Sequence, residues 1–200
     1  MPVADLEYYT IEGGRDWVQT ITKIDNQLNL AEAVYQVELG IVFNIIVYHI
    51  WDTEDPFTAP GDDVEASLSK FLNYYNSDPT PYGTRDIALL FTGFHIDGGI
   101  AYVGTACQTF SNGAAYGLVG SLGPDYMSVP GFIAAHEISH LLGIAAEHNS
   151  SQSCRNTITS AFYSTTYQMT FCQEARDTII NWVIANGSCL SSKTRVTTFP

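Results

Sequence analysis

Apolar residues recur at helical spacing through residues 16–39, at Trp17, Ile21, Ile24, Leu28, Val34 and Leu39, and Gly40 follows as a stop signal. This predicts a long amphipathic helix. Directly after it, the run IVFNIIVYHIW (41–51) is dense in β-branched and aromatic residues, as a buried strand is. Turn residues in TEDPFTAPGDD (53–63) separate that strand from a second amphipathic helix over 64–75, with Asp62 or Asp63 as its N-cap. The runs DIALLFTG (86–93), IAYVG (100–104) and AYGLVG (115–120) predict three further strands, and LEYYTIE (6–12) predicts a short one near the start. The next helix takes Ser128 as N-cap and Pro130 in its first turn, and Phe132, Ile133, Ile138, Leu141 and Leu142 give it apolar surface to bury. Residues 149–171 are polar and irregular, and residues 172–185 read as a closing helix with Ile179, Ile180 and Val183 inward. Strands and helices alternate through the first two thirds, so the fold class is α/β, with the helix near 130–142 behind the sheet. The chain shows no internal repeat, low-complexity tract or interdomain linker.

Length and composition narrow this picture. Two hundred residues, 46% hydrophobic and 12% aromatic, suffice for one domain with a large core and argue against disorder. Eight Lys and Arg against 21 Asp and Glu give a formal charge of −13, which repels nucleic acid and anionic membrane surfaces. The longest apolar stretch, 41–51, contains Asn44 and His49 and is too short to span a bilayer as a helix. No basic segment followed by an apolar one opens the chain, so a secretory signal or propeptide is expected to lie outside it. The four cysteines, at 107, 154, 172 and 189, form no CxxC pair. A thiolate-bound zinc is therefore not expected, and disulfides in an oxidising compartment are, with three connectivities open.

The candidate chemistry lies in HEISHLLGIAAEH (136–148). His136 and His140, four apart on a helix, stand on one face within reach of a single ion, and Zn²⁺ suits neutral imidazole nitrogen. Glu137 projects beside that ion, where it can take a proton from water whose pKa the metal lowers to about 7. Gly143 lets the chain leave the helix in a left-handed turn and return a third ligand.

This run resembles the metzincin pattern HExxHxxGxxH, with one departure. The position three past the glycine is Ala146, and His148 comes two residues later. His148 through a longer turn is the favoured third ligand, because the order Glu-His-Asn is similar to the family's Glu-His-Asp. Glu147 as a carboxylate ligand, and a degenerate site of weakened affinity, are the alternatives. The stretch RDIALLFTGFHIDGGIAYVGTACQTFSNGAAYGLV (85–119), the AHEISH run and the ending FCQEARDTIINWVIANGSCL (171–190) further resemble the adamalysin or reprolysin branch of the metzincins.

That resemblance implies a single metalloprotease catalytic domain over 1–200, divided into subdomains of about 1–143 and 144–200. The implied fold is a mixed, mostly parallel five-stranded twisted sheet with an antiparallel edge strand, an active-site helix, and an irregular C-terminal subdomain ending in a helix. It implies disulfides Cys107 to Cys189 and Cys154 to Cys172. It assigns Ile100, Ala101, Tyr102, Val103 and Gly104 to a sheet edge to which an extended peptide substrate adds. It offers Glu7, Asp86 and the Cys189 carbonyl as ligands of a calcium ion (Ca²⁺) opposite the cleft. The methionine that lies under the zinc ligands in metzincins falls at Thr159, and Met169 is the only methionine downstream, so either the loop is rearranged to use Met169 or the turn is built with threonine.

The expected protein is thus a secreted or extracellular, monomeric, zinc-dependent endopeptidase acting on protein or peptide substrates, with Glu137 as general base. The rival reading is a catalytically silent metzincin-like binding domain. A zincin that uses Glu174 as third ligand is a further alternative, though it leaves the Gly143 turn unexplained.

Overall fold

The computed structural model describes residues 1–57, 63–78, 82–96, 98–108, 113–121, 130–145, 152–160 and 166–191. In chain order these form β1 (Pro2–Ala4), α1 (Leu6–Ile11), α2 (Trp17–Leu39), β2 (His49–Ile50), α3 (Val64–Ser77), β3 (Ala88–His95), β4 (Gly99–Ala101), β5 (Tyr116–Ser121), α4 (Pro130–Leu141), a 3₁₀ turn (Gln152–Cys154) and α5 (Gln173–Asn186). The sheet order is β2-β1-β3-β5-β4, parallel except for the antiparallel pair β4 and β5. The expected α/β architecture, a mixed five-stranded sheet with one antiparallel edge, is the one observed.

Both faces of this sheet are covered, which is why its strands are apolar without a polar side. Ala88 and Leu90 of β3 join Val3, Tyr116 and Leu118 beneath Leu68, Phe71 and Tyr75 of α3. The alternate residues Leu89 and Phe91 join Ala4 and Val119 in the larger core on the other face, with Ile24 and Leu28 of α2, Ile133 of α4 and Ile179 of α5. α4 lies in that larger core and passes close to α2: a methyl on Gly131 would come 2.7 Å from Leu30 Cδ2.

The helix boundaries follow side-chain caps. Asp16 accepts from Gln19 N at 2.8 Å to start α2, and Gly40, at φ 70°, ends it. Asp63 accepts from Ala66 N at 2.6 Å to start α3. Asp62, the other candidate cap, lies outside the described residues.

Three expectations are corrected. The run 6–12 is a helix: Asp5 accepts from Tyr8 N at 2.6 Å as an N-cap and from Gly93 N at 3.1 Å, so capping and docking on β3 outweigh local strand preference, and β1 is the preceding Pro2–Ala4. Of the run 41–51, only His49 and Ile50 pair in the sheet. Ile41, Phe43 and Ile45 pack into the larger core while Val42 and Ile46 stay exposed, so the alternation there serves packing beside α2, to whose Asp25 the Tyr48 hydroxyl donates. In α5, Ile179 is buried but Ile180 is 41% exposed.

The last part of the chain is tied down covalently. Cys107 is joined to Cys189 and Cys154 to Cys172, the expected pairing. Glu38 at the end of α2 adds a polar anchor: it accepts from Thr170 Oγ1 at 2.6 Å, Phe171 N at 3.0 Å and Arg176 Nη1 at 3.1 Å. No described helix is long and apolar enough to cross a membrane.

Candidate active site

Every residue of α4 from Gly131 to Leu141 is buried, which explains its continuous apolar surface and makes its three ionisable side chains conspicuous. Pro130 opens the helix; Ser128, the expected cap, lies outside the described residues. At the other end the unpaired carbonyls find partners in two nearby turns. The His140 carbonyl accepts from Gly143 N at 2.9 Å and from Gly104 N at 2.8 Å, and the Leu141 carbonyl accepts from Ala106 N at 3.1 Å.

His136 and His140 bring their rings together as their spacing requires. Their Nε2 atoms are 3.1 Å apart and the rings stand at 85° to one another. His136 Nδ1 donates to the Ile158 carbonyl at 2.5 Å, and His140 Nδ1 donates to the Ile144 carbonyl at 2.9 Å. A carbonyl only accepts, so both Nδ1 atoms carry the proton and both Nε2 atoms present lone pairs to each other. Burial also lowers the His140 pKa, an effect partly opposed by the Ile144 carbonyl. Neutral imidazoles with converging lone pairs repel, and a cation between them removes that repulsion. Two ligands about 2.0–2.1 Å from one tetrahedral zinc stand roughly 3.3 Å apart, so the observed pair fits.

Glu137 is 1% exposed, its Oε2 has no hydrogen-bond partner among the described residues, and burial raises its pKa well above the carboxylate range. An unpaired buried carboxylate is costly, and a nearby divalent cation offsets that cost. Its carboxylate lies against the edge strand: a methyl built on Gly99 would come 2.8 Å from Glu137 Oε1. The donor set and the orphaned oxygen both fit zinc.

The other sequence candidates fall as follows. His148 and its alternative Glu147 lie outside the described residues. Thr159, buried, directly follows Ile158, whose carbonyl accepts from His136; Met169 is partly buried in the larger core. Among the described residues, one group of three metal-binding side chain types occurs, Cys154, Cys172 and Glu174, and its two sulfurs are joined to each other. Glu174 thus sits beside the disulfide instead of with the histidines. His49, half-buried, bonds the Tyr75 hydroxyl of α3 at 2.7 Å and stacks on Trp51 and Tyr82.

Of the expected calcium ligands, Glu7 lies apart from Asp86 and Cys189. Glu7 lies in the first turn of α1, with its backbone against Gly93 of β3, whereas Asp86 lies two residues before β3 begins and seven residues of mostly extended chain, roughly 20 Å, from Gly93. Asp86 is beside the Cys107–Cys189 bridge, as expected, its carbonyl accepting from Cys107 N at 2.9 Å. The misplacement of Glu7 follows from reading residues 6–12 as the first strand.

The edge strand expected to receive substrate is shorter than residues 100–104. Ile100 and Ala101 belong to β4 at the sheet edge, and Tyr102 N bonds the Tyr116 carbonyl at 3.3 Å. Val103 and Gly104 lie past the strand, because Gly104, at φ 67°, turns the chain to cap α4. Sequence reasoning missed Gly99 and the Ile144 and Ile158 carbonyls. Gly99 precedes the strand run as one of two adjacent glycines, while a carbonyl carries no side-chain signal at all.

The family model Reprolysin_5, described as metallo-peptidase family M12, matches residues 2–186. A solved structure described as "Structure of a chaperone-substrate complex" is similar in fold, with a TM-score of 0.58 at 14% identity over 90% of this chain. The chain spans about a third of that structure's chain, 32% of its length.

Proposed function

Since the chain belongs to metallo-peptidase family M12, we propose that it is a zinc-dependent endopeptidase that cleaves peptide bonds of protein substrates. The observation that carries this reading is the pair of Nδ1-anchored histidines with Nε2 atoms 3.1 Å apart beside a buried Glu137 whose Oε2 has no partner among the described residues. His136 and His140 hold the ion, with His148 as third ligand. When bound, zinc supplies Lewis acidity to the scissile carbonyl and to the attacking water.

The protein groups do the rest. Glu137 takes a proton from the attacking water at its carboxylate and returns it to the leaving amine nitrogen, so no covalent enzyme intermediate is needed. The outer edge of β4, unpaired among the described strands, with Ile100 and Ala101 and then Tyr102, takes the substrate backbone as an added strand, and the contact of Gly99 with Glu137 sets that strand beside the base. The cleft lies between the parts before and after residue 143. Two disulfides fit a secreted or extracellular protein, here read as a monomer. A silent binding domain is the weaker reading, because burying an unpaired carboxylate at 137 would then cost stability with no return.

Cleavage of a quenched-fluorescence peptide library by the purified protein tests the proposal. Activity should vanish with chelator and return with one equivalent of zinc; hydrolysis indifferent to chelation contradicts it. In the same samples His148→Ala should lose zinc, and full retention would move the third ligand to Glu147.

A further inference from the structure

The zinc reading leaves one large side chain near the site unused. Trp182 of α5 lies against two glycines that the fold places side by side, Gly104 and Gly143, both in the left-handed region at φ 67° and 99°. A methyl on Gly143 would come 2.7 Å from Trp182 Cδ1 and 2.9 Å from Cγ, and one on Gly104 would come 3.2 Å from Trp182 Nε1. One indole edge therefore covers both turns.

These two turns are the ones that hold His140. Both glycine amides donate to the His140 carbonyl, and the residue after Gly143 supplies the Ile144 carbonyl that accepts from His140 Nδ1. The ligand is gripped at its backbone and at its ring by the same short segments. α5 is itself fixed at both ends, by Cys172 at its N-cap and by Cys189 just past its end, so the indole bears on the turns from a rigid support. Glycine at 104 and 143 gives no side chain with which the turns could brace themselves.

We propose that Trp182 is a positioning residue for the metal site, bracing the Gly104 and Gly143 turns that fix the backbone and ring of His140. The inference rests on the zinc reading of His136 and His140. Ring orientation set by such outer groups governs affinity as well as geometry, and loss of an outer partner costs about 10- to 100-fold in metal binding.

The test uses the full chain with Trp182→Leu, Trp182→Phe and, as a core lesion elsewhere in α5, Ile179→Ala. Zinc affinity is measured by competition with a chromogenic chelator, the ligand field by the visible absorption of the cobalt-substituted protein, and stability by urea unfolding. Trp182→Leu should weaken zinc about tenfold and shift the cobalt bands. Trp182→Phe, which keeps a ring over Gly143, should stay within about threefold of wild type. Ile179→Ala should lower stability and leave affinity and spectrum unchanged. The proposal is overturned if Trp182→Leu changes only stability, or if Ile179→Ala weakens zinc as much. A wild-type protein that binds no zinc at all overturns the underlying reading, and that result is distinguishable because no variant is needed to see it.

Discussion

Gly99→Ala should disable the proposed base without removing the metal ligands. The added methyl would stand 2.8 Å from Glu137 Oε1 and 2.9 Å from its Cδ, about 0.6 and 0.5 Å inside the 3.4 Å where ordinary contact begins. It would also stand 2.4 Å from the Leu118 carbonyl oxygen, which is backbone and cannot rotate away. Either β4 lifts off β5, where Gly99 faces Val119 and Ile100 faces Leu118, or the carboxylate swings aside. Overpacking of this kind costs about 1–3 kcal/mol of stability. A catalytic group displaced by about 1 Å loses roughly a hundredfold in rate. The expected result is therefore a folded protein that keeps its zinc, with kcat down about a hundredfold and a raised KM, because the same strand receives the substrate. Steady-state peptide hydrolysis, with bound zinc counted in the same preparation, decides the matter. A zinc-loaded Gly99→Ala protein with kcat within twofold of wild type would refute the link between the edge strand and the base.

The two disulfides should differ in worth. Closing chain of 82 residues against 18, Cys107–Cys189 should contribute about 4.5 kcal/mol and Cys154–Cys172 about 3.2 kcal/mol by the loop-entropy relation; urea unfolding of the paired Cys→Ala variants measures both, and a reversed order speaks against that account. Burial raises the Asp5 pKa to about 6, so the folded state binds this proton more tightly than the unfolded one and stability falls as pH rises from about 4 to about 6, by about 3 kcal/mol from this group. Asp5→Asn, which can still accept from Tyr8 N and Gly93 N, should flatten that fall; parallel pH profiles of unfolding would show that Asp5 titrates normally.

How much of this was legible in the sequence depends on what kind of group carried each feature. The alternation that buries both faces of β3, the caps at Asp16, Gly40 and Asp63, and the one-turn spacing of His136 and His140 are properties of side chains at fixed intervals, and they read directly. The segment at 6–12 did not, because Asp5 draws its strength from Gly93, 88 residues away. The Gly99 contact with Glu137 and the Trp182 edge over Gly104 and Gly143 are likewise products of tertiary approach, in which the informative atom is the missing Cβ. The orientation of both histidines comes from the carbonyls of Ile144 and Ile158, and any residue there would offer the same oxygen.

The central claim is that Glu137 is a base beside a zinc held by its helical neighbours, and Glu137→Gln tests it most directly. Native mass spectrometry would count the bound zinc, and peptide hydrolysis would be followed in the same sample. The account predicts one zinc per chain, as in wild type, with hydrolysis lower by at least about a hundredfold. A zinc-loaded Glu137→Gln protein that cleaves peptide at the wild-type rate would contradict it.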